Sequence, residues 1–260
     1  MPKKTKVKSV FFSIRKFLPS IFTIAGLCFG LSSVKNALLG KYELAMGLIF
    51  ITFVLDFTDG ALARALKSDS EFGAILDSLC DMVTFGICSP AIIYIWGTNG
   101  NKFGWFTFLF FSSSMAVRLA RFNSLDSKKV ESKNGKSSNT SQMFFRGIPA
   151  PAGAMLNLIP ICLSIVFYNF TNKALVDASI QISLLVSAGL LSTMPTFSLK
   201  GVRLTKNNIF LFILLANAMV ALFVFNITIG ILFLSFLYIA TIPFSVKLYK
   251  RRVKNTEFNF

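Results

Sequence analysis

The sequence predicts an all-α membrane protein, a polytopic bundle of about eight transmembrane helices with both termini in the cytoplasm. Two observations predict this class. Of the 260 residues, 54% are hydrophobic and only 15% are charged, against roughly 25% charged residues in soluble domains. The apolar residues also fall in runs of about 20, the length that a helix needs to cross a bilayer.

The apolar runs follow one another along the whole chain. We place the helices at 18–38, 43–65, 73–97, 103–122, 147–168, 176–197, 208–226 and 228–247. Only a short polar interval separates the last two runs, so seven helices is the alternative. The polar segment 123–146, rich in Ser and Lys, predicts a flexible cytoplasmic loop. We expect a single membrane domain that covers residues 1–260.

The basic residues predict the orientation of this bundle, because Lys and Arg are enriched in cytoplasmic connections. With the N-terminus inside, the cytoplasmic segments hold 23 of the 27 basic residues. These segments are 1–17, 64–72, 118–146, 198–207 and 247–260. Both ends are therefore predicted to be basic cytoplasmic tails, 1–17 and 248–260. The net charge of +16 fits this topology and contact with anionic lipid, so we expect no nucleic acid partner.

The sequence contains no histidine, which excludes several kinds of catalytic site. Ser-His-Asp and Cys-His nucleophile systems and HExxH zinc sites all need an imidazole. The four cysteines lie in apolar runs and form no C-x-x-C pair, which is typical of buried small hydrophobic residues. Acid–base and metal chemistry must therefore come from the eleven carboxylates.

Four aspartates lie inside or against hydrophobic helices, where an ionised carboxylate is costly and usually functional. Asp56 and Asp59 are about 60° apart on the second helix, and Asp77 and Asp81 are about 40° apart on the third. Because these helices are consecutive and antiparallel, all four side chains can converge near the cytoplasmic end. Four ionised carboxylates this close together would repel one another, so they need bound cations to stay ionised. Two divalent cations would balance the charge, and oxygen-only ligands favour Mg²⁺ or Mn²⁺.

Small residues accompany the aspartates. Gly60 and Ala63 fall on the same helix face as Asp56, and Gly73 precedes Asp77 by about one turn. They leave room for a bulky group beside the metals, and Arg64 is placed to neutralise a phosphate. Each small residue alone would indicate only helix packing. Together with the carboxylates they indicate displacement at phosphorus by a two-metal site.

The motif itself resembles a known family. DFTDGALAR begins at Asp56 and GAILDSLCD ends at Asp81, with eight residues between Arg64 and Gly73. This resembles D-x-x-D-G-x-x-A-R, eight residues, then G-x-x-x-D-x-x-x-D, the signature of the CDP-alcohol phosphatidyltransferases. The flanking segments 70–90, RLARFN from Arg118 and FRGIPAP at 145–151 resemble the branch that transfers to serine, the phosphatidylserine synthases.

The resemblance implies transfer of a phosphatidyl group from CDP-diacylglycerol to the hydroxyl of L-serine, with release of CMP. It implies two divalent cations, Mg²⁺ or Mn²⁺, bound by Asp56, Asp59, Asp77 and Asp81, and Asp81 as the general base. The residues that it assigns to CDP-diacylglycerol are Ser20, Thr23, Gly60, Ala63, Arg64, Ser70 and Gly73. One departure concerns the first helix, where the family usually has Pro-Asn and this chain has Pro19 and Ser20.

The serine carboxylate also needs a binding group. Arg118 and Arg121 are i,i+3 neighbours near the cytoplasmic end of the fourth helix and are candidates for a carboxylate clamp, with Asn123 a further candidate. Their positions equally fit the retention of basic residues on the cytoplasmic side. The resemblance further implies a homodimer, and we expect a bacterial inner membrane with the site facing the cytoplasm.

Two alternatives remain open at this stage. Within the family, the acceptor could be glycerol 3-phosphate, inositol, inositol phosphate or choline, since the aspartates act on the shared donor. Outside it, a cation-coupled transporter could use intramembrane carboxylates. Against a transporter are the lack of an inverted repeat and the position of the aspartates near a helix end, whereas transporter sites lie near the midplane.

Overall fold

The computed structural model describes residues 3–66, 70–131, 144–167, 173–192, 195–197 and 226–257. Helices account for nearly all of them. The α-helices are α1 (Lys3–Leu38), α2 (Tyr42–Leu66), α3 (Glu71–Asp81), α4 (Ser89–Ile93), α5 (Lys102–Glu131), α6 (Ala150–Asn157), α7 (Ile159–Val166), α8 (Lys173–Leu191) and α9 (Ile227–Glu257). A π-helical segment, Met82–Cys88, joins α3 to α4, and a second, Tyr94–Thr98, extends α4, so that all four form one continuous rod.

Turn and capping residues fix where these helices begin and end. Gly40 closes the α1–α2 turn with φ at +74°, a conformation that glycine adopts without steric cost. Asn101 precedes α5, and its Oδ1 accepts a hydrogen bond from the backbone N–H of Phe103 at 3.0 Å. Asn226 does the same before α9, accepting from Thr228 at 3.0 Å. These bonds satisfy backbone donors that the first turn of a helix leaves unpaired.

Five helices of the described chain are long and apolar enough to cross a membrane, as in an integral membrane protein. They are Leu18–Leu38, Tyr42–Ala63, Glu71–Thr98, Lys102–Ser124 and Lys173–Leu191. Each coincides with a predicted span to within a few residues at its start, and the helical class is thereby confirmed. Two shorter apolar helices, Ala150–Val166 and Ile227–Pro243, lie where two more spans were predicted. The remaining predicted span, 208–226, falls almost wholly outside the described residues.

The helical rods differ from the prediction in three places. The predicted helix 147–168 is divided at Leu158, because Pro160 has no N–H to continue the ladder. The fourth helix continues as α5 through Glu131, beyond the predicted start of the polar loop at 123. Phe144–Arg146 and Pro195–Phe197 form a short antiparallel two-stranded ribbon, so the predicted helix 176–197 ends earlier, at Leu191.

Two apolar clusters form the core, and they share the helices that carry the aspartates. The first includes Met46 and Ile49 of α2 packed against Ile92, Leu158 and Ile161. The second has as its largest members Phe85, Phe111, Met115 and Leu190. Helices α1 and α2 pack along one another as an antiparallel hairpin, and α3 lies against α1. This packing brings the C-terminal half of α2 close to α3, so that Asp56 and Asp59 lie near Asp77.

Candidate active site

Three of the predicted aspartates form a compact cluster. Asp56, Asp59 and Asp77 each offer one carboxylate oxygen, and these three oxygens lie within 4.8 Å of one another. Asp59 is buried, with 5% of its surface exposed, and the other two are half-buried. The convergence that the helix spacing predicted for four aspartates is therefore present for three of them.

Asp81 lies in the same cavity without belonging to that tight group. The cavity opens between α1, α2 and α3 and is lined by Phe22, Thr23, Gly26, Leu27, Thr52, Asp56, Asp59, Asp77, Cys80, Asp81 and Thr84. A carboxylate that shares the cavity but stands apart from the cluster is well placed to act on a second reactant. Thr52, Cys80 and Thr84 were not among the predicted site residues. The only signal for Cys80 and Thr84 was their helical spacing from Asp77.

Asp59 is held by a side chain from another helix. Thr23 of α1 donates a hydrogen bond from its Oγ1 to Oδ2 of Asp59 at 2.6 Å. Hydrogen bonds to an ionised acceptor are shorter and stronger than neutral ones. They support a charged carboxylate in an apolar setting, although they do not neutralise it.

The donor set fits a hard divalent cation. Mg²⁺ takes oxygen ligands at about 2.0–2.1 Å, which puts ligand oxygens on the order of 3–4 Å apart around the ion. The three carboxylate oxygens lie within 4.8 Å of one another, so small rotations suffice to bring them to that spacing. Asp81 and the threonines that line the same cavity add further side-chain oxygens. The residues present therefore suit Mg²⁺ or Mn²⁺ better than a soft, thiolate-preferring metal.

Of the residues predicted to contact the nucleotide, only Thr23 is among those that line this cavity. Thr23 lines it, whereas Ser20 is half-buried one turn earlier on α1, outside its lining. Gly60 and Ala63 are half-buried on α2, immediately after Asp59 and one turn later. Arg64 lies on the described backbone of α2, and its side chain is outside the described part of the structure.

Ser70 and Gly73 are coupled at the start of α3. Ser70 is the N-cap, and its Oγ accepts a hydrogen bond from the backbone N–H of Gly73 at 3.0 Å. A Cβ at Gly73 would lie 3.0 Å from the same Oγ, so the cap favours glycine there. This pair fixes where α3 begins and therefore where Asp77, one turn after Gly73, lies along the helix.

The two arginines predicted as a carboxylate clamp are each bound to a backbone carbonyl. Nε of Arg118 donates to the carbonyl of Ile148 at 2.6 Å, and Nη1 of Arg121 donates to the carbonyl of Leu191 at 3.0 Å. The positive charge of Arg118 also acts on the carboxylates of Asp81 and Asp56. The two arginines therefore have different surroundings. Arg118 interacts electrostatically with the aspartates, whereas Arg121 caps the end of α8.

Asn123, the third predicted acceptor-binding residue, contacts the aspartate helix. Its Oδ1 accepts a hydrogen bond from the hydroxyl of Ser78 at 3.0 Å, and Ser78 also reaches the carbonyl of Ala74 at 3.1 Å. Ser78 immediately follows Asp77 in the chain. Apart from the resemblance of both segments to one branch of the family, no sequence pattern predicted this contact.

The comparison with protein families agrees with this site. The family description for CDP-alcohol phosphatidyltransferase matches residues 16–188, which is about two thirds of the chain and includes all four aspartates. The chain therefore belongs to the CDP-alcohol phosphatidyltransferase family, a family of phosphotransferases. This confirms the resemblance carried by the aspartate motif.

Relatives named CDP-diacylglycerol–serine O-phosphatidyltransferase lie within this family. The one from Mycobacterium tuberculosis is 36% identical over 140 residues, which are 54% of this chain and 47% of the relative. That from Helicobacter pylori strain J99 is 34% identical over 147 residues, 56% of this chain and 57% of the relative. That from Methanocaldococcus jannaschii is 31% identical over 153 residues, 58% and 64% of the two chains. The chain spans about half to two thirds of the length of these relatives.

Proposed function

We propose that this protein transfers the phosphatidyl group of CDP-diacylglycerol to the hydroxyl of L-serine and releases CMP. The observation that carries the proposal is the cluster of Asp56, Asp59 and Asp77, with Asp81 in the same cavity. The relatives named for this activity support serine as the acceptor.

The donor would bind with its pyrophosphate at the aspartate cluster. Two divalent cations, Mg²⁺ or Mn²⁺, held by Asp56, Asp59, Asp77 and Asp81, would neutralise the pyrophosphate and stabilise the charge that develops on CMP. Gly60 and Gly73 leave room beside the carboxylates, and Ala63 presents only a methyl group. The guanidinium of Arg64 and the hydroxyls of Ser20, Thr23 and Ser70 would contact the nucleotide and its phosphates.

Asp81 would serve as the general base. It would accept the proton of the serine hydroxyl as the serine oxygen forms a bond to the lipid-side phosphorus, and the bond from that phosphorus to the CMP oxygen breaks. Its position supports this role, because Asp81 shares the cavity with the three clustered aspartates without belonging to their tight group. The guanidinium of Arg118 would interact with the carboxylate of Asp81 from the acceptor side.

The serine carboxylate would bind close to Arg118. Nε of this residue is committed to the carbonyl of Ile148, which fixes the guanidinium plane while its other nitrogens can face a carboxylate. A serine held there would present its hydroxyl to Asp81. Asn123 and Arg121 would contribute at the edge of this pocket, the latter chiefly by holding α5 against α8.

We further propose a homodimer in a bacterial inner membrane, with the site and both termini on the cytoplasmic side. The orientation is supported by the concentration of basic residues in the connections at the site's end of the bundle. Single cysteines at Lys35 and Lys206 in a cysteine-free background test the orientation. A membrane-impermeant maleimide applied to intact cells should label the cysteine at position 35 and spare that at 206. The reverse result would overturn the orientation.

The activity itself is tested by the release of CMP. Purified full-length protein in detergent would receive CDP-diacylglycerol and either Mg²⁺ or Mn²⁺. Serine, glycerol 3-phosphate, inositol, inositol phosphate and choline would be compared as acceptors. We expect release that requires both a divalent cation and serine.

Two results would change the proposal in different ways. Release with another acceptor would retain the transfer chemistry and overturn serine as the substrate. If none of the acceptors leads to CMP release although a divalent cation is bound, the result would favour the cation-coupled transporter instead. Asp77→Asn serves as the inactive control in each arm, because it removes a carboxylate from the centre of the cluster.

A further inference from the structure

The bond between Thr23 and Asp59 joins the first helix to the aspartate motif. The two residues are 36 positions apart, and their oxygens are 2.6 Å apart. Asp59 is 5% exposed, so water has little access to replace the threonine hydroxyl. Burying a carboxylate without a hydrogen-bond donor costs free energy, so the hydroxyl of Thr23 stabilises Asp59.

Close packing of α1 on α2 makes the contact possible. Thr52 of α2 donates to the carbonyl of Gly26 on α1 at 3.1 Å, about one turn from Thr23. A Cβ at Gly26 would already touch Thr52 at 3.6 Å. The two helices are thus joined by two threonines with different acceptors. One acceptor is a backbone carbonyl and the other is the carboxylate of Asp59.

Thr23 has one hydroxyl proton and two acceptors in reach. The carbonyl of Pro19 lies 3.2 Å from its Oγ1, in the preceding turn of the same helix. The Asp59 oxygen is closer by 0.6 Å and carries charge, so the bond to the carboxylate prevails. The Pro19 carbonyl then restrains the rotamer rather than taking the proton.

We propose that Thr23 is a positioning residue for Asp59, which orients this carboxylate towards Asp56 and Asp77 for binding a divalent cation. The inference rests on the proposed role of the three aspartates as metal ligands. Residues that hydrogen-bond a metal ligand fix its orientation, and their loss typically lowers metal affinity about 10- to 100-fold. Thr23 would then act on the metal through Asp59, in addition to any contact with the nucleotide.

The test measures Mn²⁺ binding without turnover. Full-length protein in detergent, with no substrate, would be titrated with Mn²⁺, and the free ion would be followed by electron paramagnetic resonance. Thr23→Val keeps the shape and removes the hydroxyl, whereas Thr23→Ser keeps the hydroxyl. We expect Thr23→Val to weaken Mn²⁺ binding about tenfold and Thr23→Ser to stay within about threefold of the parent.

Thr52→Val is the matched control. It removes a buried threonine hydroxyl from the same cavity and the same pair of helices, but that hydroxyl serves the backbone carbonyls of Gly26 and Leu48. We expect it to lower the thermal unfolding temperature with little change in Mn²⁺ affinity. If Thr52→Val weakens Mn²⁺ binding as much as Thr23→Val, helix packing explains the effect and the inference fails.

Asp59→Asn separates this inference from the proposed function. If Asp59→Asn and Asp77→Asn bind Mn²⁺ as the parent does, the cluster is not the metal site and both proposals fail. If those variants lose Mn²⁺ but Thr23→Val retains the parent affinity, only the role of Thr23 is overturned. If Thr23→Val does not fold, Thr23→Ala replaces it, and equal binding by Thr23→Ala and the parent has the same meaning.

Discussion

The hydroxyl of Ser78 on α3 donates a hydrogen bond to Oδ1 of Asn123 on α5, with 3.0 Å between the oxygens. Ser78 directly follows Asp77, and Asn123 ends the run RLARFN that contains both arginines of the proposed acceptor pocket. Two of the segments that resemble the serine-transferring branch are thus in contact. This contact joins the proposed acceptor pocket to the helix that carries Asp77.

Removal of the Ser78 hydroxyl should impair acceptor binding specifically. A net hydrogen bond contributes about 0.5–1.5 kcal/mol, equivalent to roughly 2- to 12-fold in a binding constant. We expect Ser78→Ala to raise KM for serine several-fold and to leave KM for CDP-diacylglycerol within about twofold. Initial rates at varied concentrations of each substrate measure both constants.

Ser112→Ala is the control for Ser78→Ala. Ser112 also joins α5 to the rod that contains α3, through a 2.7 Å bond to the carbonyl of Gly86, but far from Asn123. Its removal should leave KM for serine unchanged. Equal KM values for Ser78→Ala and the parent would show that the contact with Asn123 does not affect the acceptor pocket.

The aspartates should separate into two groups by their metal affinity. Asp56→Asn, Asp59→Asn and Asp77→Asn each remove an oxygen from the tight cluster, and we expect at least a tenfold loss of Mn²⁺ affinity. Asp81→Asn should lose less affinity while its turnover falls about 10²- to 10⁴-fold, the range for a general base. Mn²⁺ titration and CMP release on the same preparations measure both quantities. An equal loss of Mn²⁺ affinity in all four variants would make Asp81 an ordinary ligand.

Arg118 and Arg121 should differ although they lie one turn apart. Arg118→Gln removes the positive charge proposed to bind the serine carboxylate, so we expect KM for serine to rise at least tenfold. Arg121→Gln removes the bond to the carbonyl of Leu191, and we expect a lower unfolding temperature with KM changed less than threefold. Thermal unfolding and serine titration distinguish the two. A similar rise in KM for both variants would restore the two-residue clamp predicted from the sequence.

Gly30 should tolerate no side chain where α1 crosses the first π-helical segment. A Cβ at Gly30 would lie 2.6 Å from Cγ2 of Thr84, whereas a Cβ at Gly26 would make only ordinary contacts at 3.6 Å and beyond. We expect Gly30→Ala to lower the free energy of unfolding by about 1–3 kcal/mol through overpacking. Gly26→Ala, one turn earlier on the same helix, should be near neutral. Thermal unfolding in detergent compares them, and equal unfolding temperatures would refute the predicted clash.

The convergence of the aspartates could be predicted because few physical quantities determine it. Helical spacing puts Asp56 and Asp59 on one face and Asp77 and Asp81 on another, and a short connection between consecutive membrane helices brings those faces together. Likewise, the lengths of the apolar runs were enough to place the five spans. Both inferences depend on local periodicity, which the sequence displays directly.

The contacts that refine the site could not be predicted, since they depend on how helices distant in sequence pack. Nothing in the local sequence indicates that Thr23 reaches Asp59 or that Arg121 reaches the carbonyl of Leu191. The break at Leu158 did carry a signal, because Pro160 interrupts an apolar run. The π-helical segments carried none, because the glycine, β-branched and aromatic residues in Met82–Cys88 and Tyr94–Thr98 are also common in uninterrupted membrane helices.

The π-helical segment Met82–Cys88 begins at the residue after Asp81. Each π-turn takes up an additional residue compared with an α-turn, so it resets the rotational phase of the rod. Side chains beyond Cys88 therefore face directions that an uninterrupted α-helix would not give them. The segment thus sets a fixed angular offset between the part of the rod that carries Asp77 and Asp81 and the part beyond Cys88. This offset lets Asp77 and Asp81 face the cavity while Ile92 and Ile93 pack in the apolar core.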